Sequence, residues 1–518
     1  MKRNLILVLL FFAVWITPFL SQQNLLPNSS YYKDKLFSPF NNKSFSNGSF
    51  LPACESEINL IDKIADSTKQ YYYITSFLIK RHLFELSGKD YYLTISPTFD
   101  IARGKDLNDS LGTKYYQNTR GYHIEGDLLK KFSFSTSFYE NQSTFNKFET
   151  DYYKSAGELY PTYNSYSLQN AVIPGAARTK PFKQTGFDYA YAIGNVIYSP
   201  TKNIKLIGGN NSHFIGTGHR SLFLSDNSIY TPYFQMNLKL NSKWNFVYMR
   251  TRLMNLIRRP IQTDVEAYYQ PKGYSVNYLT YNASDKITVS FFEGIIWSKG
   301  DSISSHKVNP MFYNPIPGIS ELGEKNKKKI NGLLGVNLEY IYNSQHRFYN
   351  QIALSNYDLK NIGFQIGYRG YDIAGLKNFM VQAEYNNLPK HLYYSKNSNL
   401  NYSNYNLPLA HTKGTNFQEF LVRANYEYQY IYVDVKLIVY SFSDYIRGSL
   451  EAVNLNTKTQ TGIVQNHQFE VGCRFNRKMN ITVFGSYLFR NDTSNNLTPT
   501  KFFNFGIRTG LINHYNDF

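Results

Sequence analysis

The stretch 206–227 holds the side chains of this chain that could do chemistry. His219, Ser221 and Asp226 are the residue types of a hydrolytic triad. A triad needs its members to converge in space, whereas residues two apart on a strand merely share one face. The chain has no Gly-x-Ser-x-Gly elbow, and its ten histidines show no His-x-x-x-His spacing. We therefore expect no enzyme, no metal site and no cofactor.

The same stretch is rich in glycine. Gly209, Gly216 and Gly218 allow close backbone approach or positive φ, which in a strand-rich chain indicates a bulge or an inward bend. Arg220 and Asp226 are then predicted to form an interior polar network. That network either holds the bend in place or lines a path for sugar, and the sequence leaves both interpretations open.

A second candidate is the tract 388–411, in which tyrosines alternate with many asparagines and two lysines. Sugars present apolar faces that stack on aromatic rings and hydroxyls that need amide or charged partners. The tract therefore predicts a glycan-binding surface, and the alternative is the aromatic girdle and polar loop tip of any barrel. The candidate glycan-binding residues are Tyr393, Tyr394, Tyr402, Tyr405 and His411.

Alternating segments must position these residues. In 131–140, 378–387 and 431–439 apolar residues alternate with polar ones, and charges fall on one face only. A membrane strand requires this, because a lipid-facing Arg or Lys near the midplane costs about 2–4 kcal/mol. A short turn at 476–478 and long connections at 388–413 and 491–500 are typical of an outer-membrane barrel. We predict an all-β fold, a transmembrane antiparallel β-barrel of 16 to 18 strands.

The amino-terminal part divides in two. Residues 1–21 read as a signal peptide, with Lys2 and Arg3 before an apolar run. Residues 22–70 are a polar segment without period up to about 51, followed by a helix over 55–69 in which isoleucines recur every three residues. This small helical element is interpreted as a plug or as an ordinary surface helix. The barrel then occupies 71–518 and closes with an alternating strand from Phe503, ending in an aromatic Phe518.

The formal net charge is +18. In an exported barrel this charge faces lipopolysaccharide phosphates or acidic exopolysaccharide and not nucleic acid. The basic run 325–329 is expected to be a solvated loop that could touch such groups. Cys54 lies in a polar stretch and Cys473 in a lipid-facing set, so no disulfide is predicted.

Several segments resemble one known family. The stretch 206–227 resembles the Gly-His-x-x-x-Phe-Ile-Gly-Asp-Gly-Tyr-Arg-Ser-Leu-x-Leu-Ser-Asp segment of the Wzi capsule-assembly and RemB-type gliding-motility outer-membrane barrels. The segments 118–121, 173–182 and 408–419 also look like that family, in the expected order. Thr217 and His219 depart from the pattern, which has Asp and Tyr there. The resemblance adds Arg120 and Arg178 to the candidate lumenal network and favours 18 strands.

The resemblance implies a non-enzymatic barrel of the bacterial outer membrane, surrounded by outer-membrane lipid, that binds or organises surface exopolysaccharide. Such a protein would support capsule attachment or gliding motility. Two other functions remain open from the sequence. One is a structural subunit that binds proteins of a gliding or secretion machinery, and the other is a diffusion channel for solutes.

Overall fold

The computed structural model describes residues 24–38, 48–55, 75, 78–79, 82–129, 131–161, 166–258, 269–298, 314, 316–319, 330–355, 358–395, 397–443, 461–494 and 498–518. The predicted signal peptide, nearly all of the predicted helix over 55–69 and the basic run 325–329 lie outside these residues.

Eighteen antiparallel strands form a closed barrel, which confirms the predicted fold class. The closing pair joins the last strand to the first, with Phe502 opposite Asp106 and Arg508 opposite Asp100. The strands are β1 Tyr91–Asp106, β2 Tyr115–Leu128, β3 Phe132–Thr144, β4 Gly186–Thr201, β5 Ile204–Asn211, β6 Thr231–Lys239, β7 Trp244–Asn255, β8 Gln270–Asn282, β9 Ile287–Ser298, β10 Ile330–Ile341, β11 His346–Ser355, β12 Ile362–Tyr371, β13 Phe379–Leu388, β14 Phe417–Tyr428, β15 Ile431–Ser443, β16 Thr461–Asn476, β17 Ile481–Asp492 and β18 Thr500–Thr509.

Side-chain alternation explains why these segments become wall strands. In β3 the phenylalanines face outward, whereas Ser133 and Ser135 are buried on the inner face. In β13 Gln382 and Glu384 are buried inside while their neighbours point out. The outer face is apolar and exposed around the barrel, which is the surface that lipid covers. Large exposed residues of this outer belt include Ile101, Val196, Phe234, Phe291, Val336, Ile352, Ile366, Phe420, Val433, Phe469, Val483 and Phe505.

The two ends of the barrel differ. Connections of two to seven residues join the strands at one end, for example 202–203, 429–430 and 477–480. The connections at the other end reach from 145 to 185 and from 389 to 416. We call these the short-turn end and the long-loop end. Because β1 begins and β18 ends at the short-turn end, the chain before β1 and the chain after β18 both join the barrel at that end.

The remaining elements are short. No helix in the described part of the chain is long and apolar enough to cross a membrane. The helices with described bounds are α1 Ser30–Leu36 and α2 Lys147–Ser155, with 3₁₀ turns at Ile373–Gly375 and Ser398–Leu400. The short strands pair as Phe50–Leu51 with Phe214–Ile215, Phe84–Ser87 with β1, Glu158–Pro161 with Tyr166–Gln169, Val172–Ile173 with Ala177–Arg178, Lys180–Phe182 with β4, and Ser403–Asn404 with Leu407–Pro408.

Four segments fill the lumen, and we name them here. The N-terminal segment comprises the described residues 24–38 and 48–55, and the C-terminal segment is 510–518; both come from the short-turn end. The Gly-rich loop is 212–230 and the Tyr/Asn loop is 389–416; both fold in from the long-loop end. The N-terminal segment was predicted to be extended or loosely ordered. Instead it contains α1, and its strand Phe50–Leu51 pairs with the Gly-rich loop. The side chains of Tyr32, Leu36 and Phe50 are buried, and this burial holds the segment in an ordered conformation.

Candidate functional site

The Gly-rich loop places Arg220 in the middle of the lumen, where its side chain is 1% exposed. Its guanidinium donates to Asp517 Oδ1 at 2.8 Å and to the Asp517 carbonyl at 2.9 Å. It also donates to both carboxylate oxygens of Glu419 on β14, at 3.0 and 3.3 Å. A buried guanidinium is stable only when such charged partners surround it. Arg220 therefore ties the Gly-rich loop to the wall and to the C-terminal segment.

Two further side chains complete this cluster. Lys436 of β15 donates to Asp517 Oδ2 at 2.7 Å, and His411 Nε2 lies 2.8 Å from Glu419 Oε2. Burial opposes ionisation of Asp517, but the charges of Arg220 and Lys436 outweigh it and hold the pKa of Asp517 well below its usual range. Burial also lowers the pKa of His219, which lies beside Asp517, to about 3. Asp517 is thus an anion and His219 is neutral.

Glu384 of β13 holds the backbone of the Gly-rich loop. Its two carboxylate oxygens accept the N–H groups of His219 at 2.8 Å and Arg220 at 3.1 Å. A Cβ on Gly218 would lie 2.6 Å from a Glu384 oxygen and 2.7 Å from the Arg220 carbonyl. Only glycine fits there, because the wall carboxylate reaches the backbone itself.

The three predicted structural glycines are required for different reasons. Gly216 has positive φ at +132°, as one of the two predicted possibilities requires. Gly209 and Gly218 do not, and close approach explains them instead. In β5 a Cβ on Gly209 would meet the Gly194 carbonyl of β4 at 2.0 Å.

Arg220 and Asp226 were predicted to belong to one interior polar network, and in the structure they bind different residues of the C-terminal segment and not each other. The Asp226 carboxylate accepts the Tyr515 hydroxyl at 2.5 Å and the Asn513 amide at 2.9 Å. Both partners belong to the C-terminal segment. Arg220 and Asp226 therefore hold the same segment at two separate points along its length.

Of the two arginines added by resemblance, the structure describes the side chain of Arg120 and not that of Arg178. Arg120 lies on the outer face of β2, exposed and opposite Glu140 of β3. The inner face takes its neighbour Thr119, which donates to Asn141 at 2.7 Å, and strand alternation sends Arg120 outward. The backbone of Arg178 lies in the short strand Ala177–Arg178; its side chain is outside the described part of the chain.

The Tyr/Asn loop is an interior element and not an exposed sugar surface. Tyr393 and Tyr402 are buried, and their hydroxyls donate to the carbonyls of Leu222 at 2.8 Å and Phe223 at 2.7 Å. Tyr394 and Tyr405 are only partly exposed, and His411 is buried against Glu419. The tyrosines fill the lumen and dock this loop onto the Gly-rich loop.

The asparagines of this loop satisfy backbone groups. Asn404 and Asn406 accept the N–H groups of Met254 and Leu256 at 3.0 and 3.1 Å. The Asn406 amide also donates to the Gly157 carbonyl at 2.8 Å. An irregular buried loop leaves main-chain groups without a ladder partner, and amide side chains replace those partners. The same composition that suggests sugar binding thus also serves internal packing.

The long-loop end carries an open cleft of about 450 Å³. It lies between the connection 107–114, helix α2, strands β15 and β17, and Phe518. Its lining combines rings with charges. The rings are Tyr115, Phe148, Tyr152, Tyr440, Phe442 and Phe518, and the charges are Lys147, Lys413, Arg490, Asp106, Asp109, Asp151 and Asp492.

Contacts inside this cleft order its side chains. The ring of Phe518 stacks on Tyr152 with centroids 3.6 Å apart, and the Arg490 guanidinium lies 4.6 Å from the Phe148 ring. Hydrogen bonds from the Thr113 hydroxyl and from backbone N–H groups lower the pKa of Asp109 to about 2. The cleft therefore offers fixed aromatic faces beside both donors and an anionic acceptor.

Sequence reasoning missed the acidic partners of Arg220. Glu384, which accepts the backbone N–H of Arg220, belongs to the polar face of the predicted strand 378–387, and an acid on an inward register is itself the signal of a buried hydrogen-bond donor. Nothing local marks Asp517. Within the described residues, no group of three or more His, Cys, Asp or Glu side chains could hold a metal ion. Cys54 and Cys473 are not joined in a disulfide.

No family model and no curated protein matches the chain. Among solved structures, it is similar to Wzi, a carbohydrate-binding β-barrel involved in group 1 capsule assembly in Escherichia coli. The TM-score is 0.55 at 10% identity, covering 95% of this chain and 100% of that one. It is more weakly similar to OccAB4 of Acinetobacter baumannii (TM-score 0.42, 8% identity, 82% and 98% covered) and to OprD of Pseudomonas aeruginosa (TM-score 0.43, 8% identity, 80% and 94% covered).

These similarities concern the fold. A closed antiparallel barrel with an apolar outer belt, short turns at one end and long loops at the other is an outer-membrane β-barrel. The chain accordingly resides in the bacterial outer membrane.

Proposed function

We propose that this barrel binds surface polysaccharide at its long-loop end. The observation that carries the proposal is the 450 Å³ cleft, in which aromatic rings lie beside charged donors and acceptors. Sugar rings stack on such aromatic faces, and their hydroxyls bind carboxylates and cationic nitrogens. The fold-level similarity to Wzi, a carbohydrate-binding barrel, supports the same assignment.

The charged side chains of the cleft indicate which features of a polysaccharide it would recognise. Three basic and four acidic side chains line it. Exposed pairs such as Lys147 with Asp151, at 2.8 Å, further offset one another. Recognition in the cleft therefore depends more on hydroxyls and stacking than on net charge. The overall charge of +18 acts at longer range, by attracting acidic exopolysaccharide or lipopolysaccharide to the surface.

The biological setting we propose is capsule attachment or gliding motility of the Wzi or RemB type. A barrel whose lumen holds four segments of its own chain is better suited to holding polymer outside than to passing it. Docking of gliding or secretion proteins is the competing function, and no surface of the described residues favours it specifically.

Binding of surface polysaccharide extracted from the producing bacterium to the purified barrel in detergent tests this proposal. Phe148→Ala removes one stacking ring, worth roughly 0.5–1.5 kcal/mol, and should weaken binding about 2- to 10-fold. Tyr342→Ala at the short-turn end, where the ring is 58% exposed, is the matched control and should not change affinity. Equal affinity of both variants, or no retention of any glycan by the wild type at low salt, contradicts the proposal.

A further inference from the structure

A row of cavities follows one side of the lumen. A cavity of about 350 Å³ begins at the short-turn end, where Asp372, Asn378 and Asn480 line it. A second, of about 180 Å³, lies against β1 to β4. The cleft of about 450 Å³ opens at the long-loop end, and Tyr115 belongs to the linings of both the second cavity and the cleft. Together they extend from one end of the barrel to the other.

The C-terminal segment separates these cavities. Asn513, His514 and Asn516 line both the first and the second cavity, and Phe518 lines the cleft. The wall residues Asp100 and Arg508 face both of the inner cavities as well. If residues 510–518 left the lumen, the three spaces would join into one polar passage along β1, β17 and β18.

Polar contacts hold this segment along 513–517, and apolar contacts hold its two ends, where Leu511 is buried in the cluster that contains Leu36 and Phe518 stacks on Tyr152. Asp226 binds Asn513 and Tyr515, and Arg220 and Lys436 bind Asp517. The amide of Asn516 accepts from Gln468 at 2.7 Å. The segment makes no strand pairing, because β18 ends at Thr509. The wall therefore stays closed by its own hydrogen bonds when the segment moves.

We propose that residues 510–518 are a displaceable latch whose release opens a passage for small polar solutes such as oligosaccharides. The first cavity carries five basic and six acidic side chains, so the passage discriminates little between cations and anions. The basic ones are Lys35, Arg423, Lys436, Arg474 and Arg508, and the acidic ones are Asp34, Asp100, Asp372, Glu427, Asp434 and Glu470. This inference does not depend on sugar binding in the cleft.

Conductance of the full chain in planar bilayers tests the latch. The variant Asn513→Ala, Asp517→Ala, Phe518→Ala removes its anchors and should raise conductance about ten-fold or more, since barrels of 16 to 18 strands leave an aqueous channel when unplugged. Permeability for potassium and chloride should then be similar. Lys436→Gln with Asp517→Asn removes the ion pairs that Asp517 makes with Lys436 and Arg220, keeps the side-chain volumes, and should give a smaller rise in the same direction.

The control is Tyr393→Phe with Tyr402→Phe, which weakens the Tyr/Asn loop on another side of the lumen and should leave conductance at the wild-type level. Heat-modifiable migration on gels shows which variants are folded. The latch is wrong if either latch variant is folded and conducts no better than the wild type. It is also wrong if the control conducts as well as the latch variants do.

Discussion

The Gly-rich loop and the Tyr/Asn loop enter the lumen from the same end but are held by different forces. Charged groups hold the Gly-rich loop: Glu384 accepts hydrogen bonds from its backbone, and Arg220 lies between Glu419 and Asp517. Tyrosine hydroxyls and asparagine amides make most of the contacts of the Tyr/Asn loop, with backbone carbonyls and N–H groups. Two ionisable side chains add to them: Lys272 donates to the Asn401 carbonyl at 2.9 Å, and His411 lies against Glu419. A charged anchor concentrates its stabilisation at a single residue, whereas a neutral one distributes it over many.

The energetic reason is desolvation. A buried hydrogen bond between neutral groups contributes about 0.5–1.5 kcal/mol, and removing one partner costs about 1–3 kcal/mol when the other stays buried and unsatisfied. Removing one partner of a buried ion pair costs about 3–5 kcal/mol, because the remaining charge stays buried without compensation. Single substitutions should therefore damage the Gly-rich loop far more than the Tyr/Asn loop.

The largest effect is expected for Arg220→Met, which leaves Glu419 and Asp517 buried without their main cation. We expect a loss of about 3–5 kcal/mol in the free energy of unfolding, measured by urea titration in detergent with tryptophan fluorescence. Lys243→Met is the matched control, because Lys243 is exposed in the short turn 240–243, and it should change stability by about 0.5 kcal/mol or less. Equal losses for the two variants would remove the distinction between the loops.

Acid should weaken the Gly-rich loop through His213. Burial lowers the pKa of His213 to about 3, below the unfolded value of about 6.5. The folded state therefore keeps this ring neutral, and the stability that follows is complete above about pH 6.5 and is lost as pH falls toward 3. His213→Phe should flatten the decline by about 1.4 kcal/mol per pH unit in that window. Urea midpoints at several pH values measure this; an unchanged slope contradicts it.

Two adjacent glycines test how β5 leads into the Gly-rich loop. Gly209→Ala should cost about 1–3 kcal/mol, because its Cβ would overlap the Gly194 carbonyl at 2.0 Å. The nearest atom to a Cβ on Gly208 is the Tyr233 carbonyl at 3.9 Å, so Gly208→Ala should be close to neutral. Folded yield and unfolding midpoint of the two variants provide the measurement. Similar behaviour of both would show that β4 and β5 can separate to admit a methyl group.

The smallest effect is expected for Tyr402, whose neutral hydroxyl helps to hold the Tyr/Asn loop. Tyr402→Phe removes the hydroxyl that donates to the Phe223 carbonyl, and we expect a loss of about 1 kcal/mol. Tyr394→Phe serves as the comparison, because its ring is partly exposed, and it should be neutral. The urea midpoint of unfolding measures the loss of stability in each variant. A loss for Tyr402→Phe as large as that for Arg220→Met would show that the two loops are held alike.

The wall of this barrel was predictable from the sequence because its signal is local. Within ten residues of each strand, the alternation of apolar and polar side chains identifies its two faces. In β3, for example, Ser133 and Ser135 alternate with the phenylalanines. The contents of the lumen were not predictable in the same way. Arg220 could be singled out as an interior cation, but its partner Asp517 lies at the far end of the chain, and no local pattern links the two.

Composition misled where one residue type serves two physical purposes. Tyrosine and asparagine stack on and bind sugars, but they also fill irregular interiors, and Tyr402 and Asn406 do the latter. Only burial distinguishes the two uses. The cleft at the long-loop end could not be found either, because its rings come from four separate segments, including Tyr115, Phe148 and Tyr440.

The seam between β18 and β1 bears on how this protein folds. It pairs Phe502 with Asp106, so the wall closes through one of the longest sequence separations available to the chain. Contacts of such high order form slowly, because the entropy of a large loop is lost before the contact stabilises anything. The C-terminal segment follows β18 and can reach Arg220 only once that strand is in place. We therefore expect the buried ion pairs to be completed last, as a late and slow kinetic phase after the wall has formed.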